Sequence, residues 1–211
     1  MLLADLRRPP RPPAHPSPGA LFPLAPPLPA GTWALLRRQL QRRLEVYVGL
    51  RTLALGPAMR LRFDDELTLR LDLQDDLLAG GPLTQARLAR LADALPSDDE
   101  WRATLTVAVP GAAPRGALPR FLDEAAGLVH VQIGIERLAS DGAAGAGGFA
   151  AAGAPRGLRF PMTPGLRDAL EAGASATLVC THPRYSWRRR VPTGLLRELR
   201  RSLSGHRGSQ P

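Results

Sequence analysis

The sequence predicts a single α+β domain with a largely antiparallel sheet and flanking helices, and three observations carry that prediction. Short segments alternate apolar and other residues with a period of two, among them MRLRF at 59–63, WRATLTVAV at 101–109 and LVHVQIGIERL at 128–138. Other segments repeat leucines at helical spacing. These elements follow one another mostly without the strict strand–helix–strand rhythm that builds a parallel sheet. A length of 211 residues suits one domain with appendages.

Residues 1–31 read as a disordered, proline-rich tail, because each proline removes a donor and pushes its predecessor away from helical geometry. Thr32 is placed to cap a helix from about Trp33 to Tyr47, with Leu36, Leu40, Leu44 and Val48 as its buried stripe and Arg37, Arg38, Arg42 and Arg43 opposite. Residues 51–57 read as a strand closed by a Gly56-Pro57 turn, followed by the strand at 59–63. Leu67, Leu69, Leu71 and Leu73 continue the alternation and by themselves predict a hairpin. Leucines from Leu83 to Leu95 outline a helix stopped by Pro96.

The strand at 101–109 ends at Pro110-Gly111, a short helix is expected over 118–126, and 128–138 reads as one strand. Residues 140–157, poor in anything to bury, read as a flexible glycine–alanine loop. A strand at 158–162 leads to Thr163-Pro164, an N-cap followed by proline at the first helical position. A strand at 176–181 and a helix at 192–203 complete the domain, set at 32–203, and residues 204–211 form a second disordered tail.

All 28 basic residues are arginine, and the chain has neither lysine nor asparagine. Codon usage in a GC-rich genome accounts for that bias most simply. Its chemical consequence is that Schiff-base, pyridoxal-phosphate, P-loop and protein-kinase chemistry are excluded. The single cysteine excludes an internal disulfide and any thiolate-only metal centre within one chain. No apolar run is long enough to span a bilayer. The net charge of +9 is concentrated at the ends: residues 1–43 hold seven arginines against Asp5 alone, and residues 184–211 hold eight against Glu198 alone.

Four constellations invite a chemical reading. His130, His182, Glu136 and Cys180 include metal-ligating types but lack ligand spacing, so no metal site and no cofactor are assigned. Cys180 and His182 share a strand face, yet no feature activates the thiol. The acids Asp64, Asp65, Glu66, Asp72, Asp75 and Asp76 lack the calcium-loop pattern and read as a turn and a solvated helix face. Finally, Trp187 with Arg188, Arg189, Arg190, Arg197, Arg200 and Arg201 is a candidate polyanion-binding segment, the aromatic ring being available to stack on a base.

Taken in order, Ala54-Leu-Gly-Pro57 with Leu61-Arg-Phe-Asp-Asp65, residues 67–77, Trp101-Arg-Ala-Thr-Leu105, Val129-His-Val-Gln132 with Glu136-Arg137, Leu158-Arg-Phe160 before a Thr-Pro helix start, and Thr181-His-Pro183 with Tyr185 resemble bacterial domain of unknown function family 3501. The resemblance covers about residues 45–200 and implies helix rather than hairpin for 66–78. This chain departs from the family in having Ile135 where His commonly precedes Glu-Arg, and only Leu50-Arg51-Thr52 where a lysine-rich run is typical. The family has no established activity. Such proteins are typically encoded beside rubrerythrin-like di-iron proteins and iron–sulfur proteins, which implies a cytoplasmic, non-catalytic accessory partner of an iron-dependent redox or peroxide-metabolism system. The residues singled out for such a role are Gln132, Glu136, Arg137, Arg159, His182 and Tyr185, on the expectation that alternation brings them onto one face. The alternatives are nucleic-acid binding through the arginine-rich segment and an unrecognised enzyme using His182.

Overall fold

The architecture was described from a computed structural model covering residues 27–107, 124–125, 127–142 and 155–204. It is α+β, with five helices and two antiparallel sheets among these residues. In chain order the elements are α1 (Ala30–Arg51), β1 (Thr52–Leu55), β2 (Met59–Phe63), α2 (Glu66–Leu78), α3 (Gln85–Ala94), β3 (Glu100–Val107), β4 (Val129–Ile133), β5 (Glu136–Ala139), β6 (Asp141–Gly142), β7 (Arg156–Pro161), α4 (Pro164–Glu171), β8 (Ala176–His182), β9 (Tyr185–Arg190) and α5 (Thr193–Ser204). Residues 1–26 of the expected proline-rich tail, the 204–211 tail beyond Ser204 and nearly all of the expected 118–126 helix lie outside the described residues, while 30–31 of that tail belong to α1 and Leu28 packs against the α1–α2 core.

One sheet has the order β1-β2-β3-β7-β6 and the other β5-β4-β8-β9. Alternation decides what each buries. Leu53, Leu61, Leu105, Leu158 and Phe160 from the first sheet, and Val129, Val131, Ile133, Leu178 and Cys180 from the second, join a single core. Helix α4 adds Leu166 and Leu170, and α5 adds Leu195, Leu196, Leu199 and Leu203. Trp101 packs edge-on against Phe63 at 5.9 Å and donates its indole N–H to the Leu199 carbonyl at 3.0 Å, which pins α5 to the first sheet.

The two sheets close round this core at both sides. On one side the chain passes from β5, paired to β4, into β6, paired to β7, so one extended segment serves both sheets. Ser140 at the corner gives both its N–H and its hydroxyl to the Val129 carbonyl. On the other side β9 faces β1 without a hydrogen-bonded ladder, and side chains make the seam. The result is a flattened, partly open barrel.

Helices α1 and α2 form a separate layer with its own core of Trp33, Leu44, Leu67 and Leu71. Helix α2 is a helix, as the family resemblance implies, and the hairpin read from alternation is wrong. Asp65 and Thr68 form a reciprocal cap, the Asp65 side chain accepting from the Thr68 N–H and the Thr68 hydroxyl accepting from the Asp65 N–H. Leu67, Leu69, Leu71 and Leu73 are all buried because α2 has neighbours on more than one side, which erases the one-sided helical stripe.

Three other expectations change. Helix α1 begins at Ala30 with Pro29 as its N-cap, so Thr32 lies in the first turn instead of capping it. The expected strand at 128–138 is a hairpin: Gly134 takes φ +58 and Ile135 stands 98% exposed at its tip. Alternation continues from Val131 through Ile133 to Ile135, so sequence alone places Ile135 in the core; a glycine able to adopt positive φ turns the chain first. The ends of the expected 140–157 loop are ordered as β6 and the start of β7.

Candidate functional site

The cross-strand register of the four-stranded sheet builds a basic outer face. In β4, Val129, Val131 and Ile133 point into the core, which leaves His130 and Gln132 on the outside. Gln132 pairs with Arg137 on β5 and with Thr177 on β8, and Thr177 pairs with Arg190 on β9. Arg137, Gln132, Thr177 and Arg190 therefore form one row across all four strands. In the next row lie Ala139, His130, Val179 and Arg188. Arg188 reaches back across β8 and donates to Gln132 Oε1 at 2.6 Å, while Gln132 Nε2 donates to the Gly134 carbonyl at 3.3 Å.

Arg137, Arg188, Arg189 and Arg190 are exposed and form no ion pair with any described residue. His130 lies on the outer face beside Arg137 and Arg188, buried, with no side-chain hydrogen bond at Nδ1. Burial lowers its pKa and the charge of Arg137 pushes the same way; a hydrogen bond with the Leu128 backbone opposes them, and Arg188 adds the smallest lowering.

The six residues expected to share a face do not form one cluster. Gln132 and Arg137 are direct neighbours, but Glu136 has the opposite strand parity and is exposed at the start of β5. Arg159 lies on the outer face of the other sheet, where Nε and Nη2 hold Glu100 at 3.0 and 2.9 Å. His182 and Tyr185 pair at the turn of the β8–β9 hairpin.

Tyr185 is a seam residue. Its hydroxyl accepts from the Ala58 and Met59 N–H groups at 3.0 and 3.1 Å and donates to the Leu55 carbonyl at 2.5 Å. Trp187 lies beside it and covers Gly56, whose φ is +78. A Cβ at Gly56 would collide with the Tyr185 hydroxyl and lie 2.6 Å from the Trp187 ring, so the turn between β1 and β2 requires glycine twice over.

His182 is buried, with Nδ1 accepting from the Arg184 N–H at 3.2 Å and Nε2 facing Glu124 Oε2 at 3.5 Å. Both ring nitrogens therefore meet groups of this fold. Cys180 is a buried free thiol whose pKa is raised by burial, and His182 faces Glu124 and not the sulfur. Among the described residues no three or more His, Cys, Asp or Glu side chains are grouped to hold a metal ion.

The acidic segment is taken up by arginines. Asp64 pairs with Arg62, Asp65 with Arg51, Glu66 with Arg70, Asp72 with Arg62, Asp75 with Arg37 and Asp76 with Arg87. Asp65 also accepts from the Tyr47 hydroxyl, and Asp75 from the Trp33 indole at 3.0 Å. These pairs tie α1 and α2 to each other and to β2.

In the arginine-rich segment the two elements differ. Trp187, Arg188, Arg189 and Arg190 lie on β9, the edge of its sheet, and are exposed. On α5, Arg197 is exposed, Arg200 donates to the Ala174 carbonyl at 2.8 Å, and Arg201 pairs with Glu198 at 2.9 Å. Sequence reasoning found the arginines but missed that β9 is a strand, and with it the row that Arg190 shares with Arg137. The alternation of Tyr185 and Trp187 with Ser186 and Arg188 was the available signal.

A family model described as "Protein of unknown function (DUF3501)" matches residues 28–203. A solved structure, described as a novel protein of unknown function from Burkholderia pseudomallei K96243, has a TM-score of 0.74 and 24% sequence identity, covering 86% of this chain and 100% of its own. That likeness is one of fold. No curated protein matches the chain. No helix among the described residues is long and apolar enough to cross a membrane.

Proposed function

We propose, for a chain that belongs to the DUF3501 family of proteins of unknown function, a non-catalytic role as accessory partner to an iron-dependent redox or peroxide-metabolism system in the cytoplasm. The partner is a rubrerythrin-like or iron–sulfur protein that presents an acidic surface. One observation supports the docking reading most: Arg137, Arg188, Arg189 and Arg190 form no ion pair with any described residue, and β9, the exposed edge of its sheet, also carries the half-exposed ring of Trp187 on its other face. Arginine and tryptophan are the residue types that dominate binding energy at protein interfaces. Unpaired arginines also speed encounter with an acidic partner. The redox identity of the partner comes from what the family resemblance implies about genomic context.

Tagged purification from the native host after nuclease treatment, with proteins and iron quantified together, tests this reading. Near-stoichiometric recovery of an iron protein, lost in the double variant R188E/R190E, is the expected result. Recovery of the chain alone, without iron, overturns it.

A second reading has its own support. Trp187 is 44% exposed and covers Gly56 with one side, and the strand register puts Arg189 on the same side of β9, so an accessible ring and a cation share one face, the pairing that binds single-stranded nucleic acid by stacking and charge. Affinity for a single-stranded oligonucleotide would then fall steeply with salt and be lost in Trp187→Ala.

A further inference from the structure

We infer that the outer face of the four-stranded sheet carries a discrete oxyanion site, built by Arg137, Arg188 and Arg190 around Gln132 and Thr177, that takes a phosphate group. The inference rests on the reading of this face as a binding surface and narrows it to one ligand chemistry.

The geometry supplies the argument. Arg137 and Arg190 stand at opposite ends of one row, three strand spacings or about 14 Å apart at the backbone. Arg188 already lies across the middle of that row, where Gln132 Oε1 holds one of its N–H groups at 2.6 Å. A guanidinium offers five donors in a rigid fork, so a single amide oxygen leaves most of them unused. The side chains that register places on this face, from Arg137 and Ala139 through His130, Gln132, Thr177, Val179 and Thr181 to Ser186, Arg188 and Arg190, include no carboxylate. Thr177 adds a hydroxyl at the centre of the row.

Three cations that meet no carboxylate among the described residues, set round neutral donors, match a dianionic phosphate better than a single carboxylate, which would neutralise only one of them. His130 forms the floor. The charged groups facing it are Arg137 from β5 and Arg188 from β9, while β8 contributes Val179.

The test uses the full chain without a partner, at low ionic strength. Inorganic phosphate and a simple phosphomonoester, glycerol 3-phosphate, are titrated by calorimetry, while the His130 ring is followed by NMR in histidine-labelled protein. Saturable binding is expected. The Arg188→Gln and Arg137→Gln variants should each weaken it about tenfold or more. Arg70→Gln, on a helix surface and paired with Glu66, should leave it unchanged. Tighter binding of the ester identifies an esterified ligand, and tighter binding of inorganic phosphate identifies the free ion; either supports the site. Phosphate should also raise the pH at which His130 titrates, because it neutralises the two arginines, a response that a purely structural arginine pair would not give. Lack of saturation at millimolar concentrations, or binding untouched by both arginine variants, overturns the site. So does oligonucleotide binding without any binding of the small phosphates. Partner capture that persists when the phosphate titration fails would separate this inference from the docking proposal.

Discussion

Arg62, Arg102 and Arg159, on the outer face of the five-stranded sheet, each reach a carboxylate of their own fold, whereas Arg137, Arg188 and Arg190, on the four-stranded sheet, reach none among the described residues. The residue type is the same and so is the strand geometry. What differs is the supply of acids. The five-stranded sheet is overlaid by the Asp64–Asp76 segment and carries Glu100 within β3. Asp64 shows the cost of that service: burial pushes its carboxyl up, while Arg62 and the Thr104 hydroxyl at 2.6 Å pull it back. Arginines of one type thus serve two ends: Arg62, Arg102 and Arg159 are taken up by acids, while Arg137, Arg188 and Arg190, like the exposed Arg60 on the first sheet, form no ion pair within the described fold.

Four experiments break or sharpen that contrast. The largest effect is expected at the seam that joins the two sheets. Gly56→Ala forces a side chain into positive φ and into the Tyr185–Trp187 pair, and should cost about 4 kcal/mol in denaturant unfolding. A loss below about 1 kcal/mol would mean that the seam rearranges freely and that Trp187 is not held where it is seen. Next, Arg62→Gln leaves the buried Asp64 without its charge partner and should cost about 2–3 kcal/mol, nearly all of it from Asp64 because Asp72 is half exposed. A neutral result would erase the distinction between the two sheets.

The third experiment reads His130 through pH. Its pKa is depressed in the fold, so the unfolded chain takes up the proton first as pH falls below the ordinary histidine value of about 6.5. Stability is therefore unaffected above that pH and lost as pH drops through it towards the folded value. Thermal melts of the protein and of His130→Gln across that window should show a shallower slope in the variant; parallel slopes would place the lost stability elsewhere. The smallest effect is expected at the arginines of the four-stranded sheet. Arg188→Gln and Arg190→Gln should shift stability by no more than about 0.5 kcal/mol while weakening partner or phosphate binding. Appreciable destabilisation would make these arginines structural as well.

Alternation and capping made much of this fold legible. Phe63, Leu105, Leu158 and Leu178 follow the period of two into the core, and Thr163-Pro164 starts α4 where an N-cap and a first-turn proline require it. Local pattern failed where a tertiary neighbour overrode it. The four leucines of α2 alternate like a strand because the helix is buried on more than one side. Ile135 continues a strand pattern that Gly134 ends. Tyr185 was visible as a residue of interest, but its bonds to Leu55, Ala58 and Met59 span most of the chain and leave no local trace.

By itself the sequence determined the fold class, the parity of strands such as 59–63 and 101–107, the concentration of arginine towards the chain ends and the chemistry that a chain without lysine lacks. All of these depend on the identity of a residue and its near neighbours. Only the tertiary structure decided which arginines meet an acid and which stand in a row with Gln132 and Thr177. That choice follows from strand order and register, which inter-strand hydrogen bonds and closure round a common core impose on segments far apart in the chain.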